Sequence, residues 1–254
     1  MSARLQKMPS TTLRSTWTRE AMVRNLTNAR FYRQHFVNVA NMLKIPVWVI
    51  AGKAAVESGG TQYVSKKGGS TLLRSLTLGF PENDNYVGLM QVGMLPCVAA
   101  LQYISDSGTY SNGRLLKAPV QMRQAVLPTI KKYLPQFNPA NKDSASNSRR
   151  LAFDAAKMHP EFNILMGALI LCIMLYNPRY NEDGVIRLDK ISAAYNTGEG
   201  YKAYDKPYAD TSALLTALPT FLTKAKSPET SSHVLKLCGV DGAYDLLSNN
   251  KFVF

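Results

Sequence analysis

Cysteine is scarce in this chain, with only Cys97, Cys172 and Cys238 among 254 residues. The number is odd, the three are far apart, and each sits in an apolar setting (LPCVAAL, LILCIML, LKLCGV). Neither a disulfide framework nor a zinc or redox spacing is written there, so all three are expected as reduced core residues. Histidine is equally rare, and His35, His159 and His233 stand in unrelated contexts, which predicts no metal site. No cofactor is expected either. Long apolar runs are missing too. The longest, FNILMGALILCIMLY from Phe162 to Tyr176, falls short of the ~20 residues that cross a bilayer and reads as a buried core helix, so no transmembrane segment is expected. The opening MSARLQKMPSTTLRSTW lacks the apolar stretch of a secretory signal and predicts no export address.

Acidic residues are the remaining shortage: 17 Asp and Glu stand against 30 Lys and Arg, a formal net charge of +13. With 46% hydrophobic and 19% charged residues the composition is that of a globular protein, which excludes a disordered, collagen-like or coiled-coil chain. A chain of this length buries roughly 70–75% of its unfolded surface, enough to hold a core without disulfides or metal. The positive excess therefore asks for a polyanionic partner: nucleic acid, a membrane surface or a bacterial wall. Residues 1–60 carry nine Lys or Arg against Glu20 and Glu57, so over half of the excess lies near the N-terminus.

What is present is helical periodicity. Met22, Leu26, Ala29, Phe36, Ala40 and Leu43 recur at steps of three, four or seven, interrupted by Arg33. Pro46 opens a second helix, PVWVIAGKAAVES, and Gly59-Gly60 closes it. Residues 64–86 read as loop, with a short hairpin through TLLRSLTLGF. A helix is predicted from Leu95-Pro96 through VAALQYIS, polar loops at 106–114 and 138–149, and helices at 161–176, 187–195, 211–225 and 229–238.

Glu57 is the informative carboxylate. Val47, Ile50, Ala54 and Glu57 share the apolar face of the Pro46 helix, where desolvation and the helix C-terminus both favour a protonated acid. That is what a general acid requires near neutral pH. The plainer alternative is a helix-ending glutamate that points into solvent or pairs with Lys53 four residues earlier.

Short motifs follow it: Glu57-Ser58-Gly59-Gly60, Gly88-Leu89-Met90-Gln91 and Ala194-Tyr195-Asn196-Thr197-Gly198. Two more stretches are His159-Pro160-Glu161-Phe162-Asn163-Ile164 with Gly167, and Pro228-Glu229-Thr230 with His233, Val234 and Lys236. Together with the lead-in FVNVANMLKIPVWVIAGKAAVESG, in this order and with helices between them, they resemble the soluble lytic transglycosylases of the lysozyme-like superfamily over about residues 31–238. The resemblance implies a predominantly α (α+β, lysozyme-like) fold with at most a small β element. It would occupy residues 31–240, with insertions near 64–86 and 105–158, between a basic N-terminal extension (1–30) and a C-terminal tail (241–254).

Such enzymes cleave the β-1,4 bond between N-acetylmuramic acid and N-acetylglucosamine without water, leaving 1,6-anhydro ends. One carboxyl serves as acid and then base, in contrast to the carboxylate pair of ordinary glycosidases. The resemblance makes Glu57 that carboxyl and Tyr195 the hydroxyl that orients it. It makes Ser58, Gly88, Leu89, Met90, Gln91, Asn196, Tyr63 and Tyr86 substrate-binding, with Gly88 letting the chain pass close to the sugar. Tyr201 and Tyr204 are further candidates for the groove. Glu82 and Asp84 are the nearest rivals for a second carboxylate, and either would open a hydrolytic, lysozyme-type route. A longer gap between Glu57 and Gly88, a longer 97–158 segment and His159 in place of an acidic residue depart from the family pattern.

The implied partner is the peptidoglycan glycan strand. Since that substrate lies outside the cytoplasm, the missing signal points to a bacteriophage enzyme, carried in the virion tail or baseplate or held in the host cytoplasm before release. Its action would be in the periplasm and wall, and the basic arm (Arg4, Lys7, Arg14, Arg19, Arg24, Arg30) would contact tail proteins or anionic wall. Two other classes compete: a nucleic-acid-binding module, which lacks a binding motif, and a catalytically silent lysozyme-like structural protein.

Overall fold

The structure is a computed structural model describing residues 3–61, 64–66, 69–70, 85–198 and 200–254, with the backbone alone at 64–66, 69–70 and 85. The first strand, β1 (Arg4–Leu5), is followed by α1 (Arg19–Arg30), α2 (Arg33–Leu43) and α3 (Val47–Ser58). Thr18 caps α1, its hydroxyl accepting the Ala21 N–H at 3.2 Å. The predicted stripe from Met22 to Leu43 is buried throughout, but the chain breaks at Phe31–Tyr32 into two helices. Lys44, at φ +56°, ends α2, Pro46 caps α3, and Gly59, at φ +65°, ends α3 as expected.

Beyond α3 the strands β2 (Val64–Lys66), β3 (Gly69–Ser70) and β4 (Asn85–Val87) form a small antiparallel sheet in the order β3-β2-β4. The hairpin expected through residues 71–80 lies outside the described residues, as do Tyr63, Glu82 and Asp84. Next come α4 (Met94–Ile104), the hairpin β5 (Thr109–Ser111) and β6 (Arg114–Leu116), α5 (Val120–Tyr133), α6 (Ser144–Asn147) and α7 (Arg149–Met158). The chain continues with α8 (Pro160–Leu175), β7 (Asn181–Glu182), β8 (Val185–Ile186), α9 (Leu188–Thr197), α10 (Thr211–Phe221), α11 (Lys226–Cys238) and α12 (Ala243–Ser248). The protein is thus predominantly α, with twelve helices and short strands among the described residues. No helix among them is long and apolar enough to cross a membrane.

Two helices form the centre. Apolar all round, α8 buries every residue from Phe162 to Leu169, which is how a helix interior to a bundle reads. The helices α2, α4 and α7 pack on it. The second, α3, is buried from Val49 to Val56 and is enclosed by α1, α2, α11 and α12. Each large aliphatic side chain in these helices contributes about 1.5–3 kcal/mol by leaving water. The three cysteines are free and buried.

Residues 1–30 and 241–254 are not appendages. Arg4 and Leu5 pair in parallel with Val185 and Ile186, and the chain from Ser10 to Ser15 runs along Cys238 and Val240 through backbone hydrogen bonds of 2.8–3.0 Å. In the supposed tail, Tyr244 lies edge-on to Trp48 at 5.3 Å between ring centroids and packs against Gly52 of α3. The boundaries drawn after residues 30 and 240 therefore do not fall at breaks in packing. Segments from both ends cover the central helix α3 and its neighbour α11.

Candidate active site

Three elements converge on Glu57. It occupies the last turn of α3, partly open to solvent, with its side chain 16% exposed. One turn back, Lys53 is sealed, its side chain 1% exposed, and its Nζ lies 2.6 Å from Glu57 Oε1. From α11, His233 brings Nε2 to 2.7 Å from Lys53 Nζ and 3.4 Å from Glu57 Oε1. From α9, the Tyr195 ring lies beneath the same ammonium, 3.9 Å from Nζ to the centroid. The pairing with Lys53, which belonged to the plainer alternative for Glu57, is thus present.

Burial dominates the electrostatics. Desolvation pushes the Lys53 ammonium below its ordinary pKa, against the attraction of Glu57. It also drives His233 well below the usual histidine range, helped by the charges of Lys53 and Lys236. His233 is thus a neutral acceptor for Lys53 through Nε2, which places its own proton on Nδ1. The Tyr195 phenol is held well above its usual value by burial and then by Glu57.

The Gly88–Gln91 motif forms a tight turn between Val87 and Val92, whose backbones exchange two hydrogen bonds of 3.2 and 3.0 Å. Gly88 is at φ +74°, and an added Cβ would lie 2.2 Å from Asn163 Nδ2. The neighbour that excludes a side chain there is thus Asn163 of α8, where a sugar was expected. The Asn163 amide donates to Val87 C=O at 2.7 Å and accepts the Met90 N–H at 2.8 Å, pinning both flanks of the turn. Gly167, one turn further, lets Met90 approach, since a Cβ would meet Met90 Cβ at 2.3 Å.

Most predicted binding residues are engaged internally. Leu89 and Met90 are fully buried, and Gln91 donates its amide to Gly88 C=O at 2.7 Å. The Ser58 hydroxyl donates back to Ala54 C=O at 3.0 Å. Tyr195 was expected to aim its hydroxyl at Glu57 but donates it to Met90 C=O at 3.1 Å, tying α9 to the turn. Asn196 accepts from the Thr230 hydroxyl at 3.1 Å and braces α9 against α11. Tyr86, 46% exposed, stands at the rim. Tyr201 is half-buried, its hydroxyl 3.2 Å from Lys226 Nζ, and Tyr204 is buried with its hydroxyl on Thr197.

Three residues matter here that the sequence did not single out for the site. Asn163 and His233 appeared only as parts of motifs, and Lys53 only as a bland partner. The one cue for Lys53 was a lone cation inside AGKAAV, four residues before the acid. Elsewhere, a polar cleft of about 330 Å³ lies near the start of α9, lined in part by Arg179, Glu182, Lys190 and Asp205. Within it Arg179 pairs with Asp205 and Lys190 with Glu182, and Arg114 adds a further cation to the lining. Among the described residues, no three His, Cys, Asp or Glu side chains group to hold a metal ion. Compared with known proteins, the chain matches no family model, no curated protein and no solved structure.

Proposed function

We propose that this protein is a peptidoglycan lytic transglycosylase on a lysozyme-like helical fold, with Glu57 as its single general acid and base. The observation that carries the proposal is convergence. Segments named as motifs from sequence, up to 180 residues apart, meet around one partly exposed carboxyl: Lys53 touches His233 and Tyr195, and Tyr195 holds the Met90 turn.

In the proposed reaction the Glu57 carboxyl gives its proton to the glycosidic oxygen as the bond to muramoyl C1 breaks, the electron pair leaving with that oxygen. The C6 hydroxyl then attacks C1, and its proton returns to the Glu57 carboxylate. No water is consumed, and the 1,6-anhydro ring closes. Tyr195 and Asn163 keep the Gly88–Gln91 turn in place beside the acid, and Tyr86 offers an exposed aromatic face to a sugar. The setting that goes with this activity is a bacteriophage tail or baseplate enzyme acting on the host wall, with the six exposed cations of residues 4–30 facing an anionic surface.

One observation favours a second reading, a lysozyme-like structural protein without activity. Glu57 is ion-paired, and the Ser58, Gln91 and Tyr195 polar groups are already bonded within the protein. Digestion of purified peptidoglycan, with fragments read by mass spectrometry, separates the two. Anhydro-muramoyl ends support the transglycosylase, reducing ends a lysozyme-type hydrolase, and an uncut wall the silent protein.

A further inference from the structure

We infer that Lys53 is the positioning residue for Glu57, gripping Oε1 from inside the core so that Oε2 is left to work on substrate. The inference rests on the proposed role of Glu57 as proton donor. Its basis is the geometry around Nζ. Lys53 is fully enclosed, yet its head group meets a carboxylate oxygen at 2.6 Å, a neutral imidazole nitrogen at 2.7 Å and an aromatic face at 3.9 Å. Glu57 Oε1 is itself sealed from solvent, while the side chain as a whole is partly exposed.

Stability alone does not call for this arrangement. An apolar pair in place of a buried ion pair spares the desolvation of both charges. The groups facing the pair are known from every packed element: His233, Lys236 and Cys238 on α11, Tyr195 on α9 and Tyr244 on α12. Cys97 of α4 and Tyr86 lie beyond Tyr195. Among the described residues Glu57 is the one carboxylate in this set, and it lies directly against Nζ. As Glu57 gives up its proton, negative charge grows on the carboxyl, and the ammonium at Oε1 stabilises it. His233, held neutral, aims Nζ without adding a competing charge.

The test compares wild type, Lys53→Met and Lys53→Arg on purified sacculi from pH 4 to 9, scoring anhydro-muramoyl ends, with circular dichroism and melting as controls for folding. Lys53→Met should lower kcat by about tenfold or more with KM within about threefold, the pattern of a group acting in the transition state. Its alkaline limb of activity should move up, because the ammonium 2.6 Å from Oε1 is gone. Lys53→Arg keeps a cation and should return the limb towards wild type. An unmoved limb in Lys53→Met, or the same limb in both variants, overturns the inference. Carbon-13 titration of the wild type guards against a misfolded variant: the Glu57 carboxyl resonance should respond where the Lys53 side chain titrates, and independent titration overturns the pairing. A wild type that leaves the wall uncut overturns the role of Glu57 and this inference with it. A cutting wild type with an unmoved Lys53→Met limb overturns this inference alone.

Discussion

A single buried imidazole ties the acid on α3 to α11. His233 is held neutral by burial and by the charges of Lys53 and Lys236, so its folded-state pKa lies well below the unfolded value of about 6.5. Between those two values the unfolded chain binds more protons, so stability rises with pH and is lost as pH falls below about 6.5. The contribution has a slope of at most about 1.4 kcal/mol per pH unit, that of one proton. Urea unfolding at pH 5 to 7.5 should show this acid-side loss. His233→Gln, which retains an acceptor for Lys53, should flatten it, and an unchanged slope would mean that His233 titrates as it does in the unfolded chain. The importance of this residue was poorly legible in sequence. Periodicity marks which side chains are buried, whereas the partner of a buried polar group comes from another helix, here 180 residues away. The place of Glu57 at the end of an apolar helix was legible because that helix supplies both the apolar face and the capping glycine.

At the scale of elements, the Gly88–Gln91 turn is pinned on both flanks by Asn163, with Tyr195 on the Met90 C=O. Asn163→Ala would leave the Met90 N–H without its partner and strip the Val87 C=O of one of its two, the Val92 N–H remaining. A buried group left without a partner costs about 1–3 kcal/mol, so a loss of at least that size is expected in chemical denaturation. Gly88→Ala should cost at least about 2 kcal/mol, from its left-handed backbone and from contact with Asn163. Stability of either variant within 0.5 kcal/mol of wild type, roughly the scale of a neutral surface change, would contradict this account of the turn. Strongly apolar elements were the readable ones: α3, α4 and α8 fall within a few residues of where periodicity puts them. The helix α5 went unread although Met122, Val126 and Ile130 recur every four residues and are buried, because Pro128 within it is ordinarily a helix breaker. The six-residue α12 is too short for periodicity, and only its packing on α3 makes it part of the body.

For the whole molecule, the two ends of the chain close the fold over α3 and α11. Deleting residues 1–16 removes the β1–β8 pairing, the backbone bonds from Ser10 and Ser15 and the buried Met8. The expected loss is about 3 kcal/mol or more, since Met8 alone accounts for about 1.5–3 kcal/mol. In a chain of this size that lowers Tm by about 6–12 °C. An unchanged Tm would restore the first residues to the status of a free arm. The charge of +13, first a hint of a polyanionic partner, thus sits in part on a segment whose backbone is structural and whose cations face outward.

The central claim is that Glu57 cuts peptidoglycan by passing one proton out and back. Digestion of purified sacculi by the wild type and by Glu57→Gln, with mass spectrometry of the released fragments, tests it most directly. The account predicts 1,6-anhydro-muramoyl ends from the wild type and a loss of at least about 100-fold in Glu57→Gln, with circular dichroism showing the variant folded at the assay temperature, as for removal of a general acid. Equal cleavage by both proteins, or intact sacculi after treatment with the wild type, would contradict it.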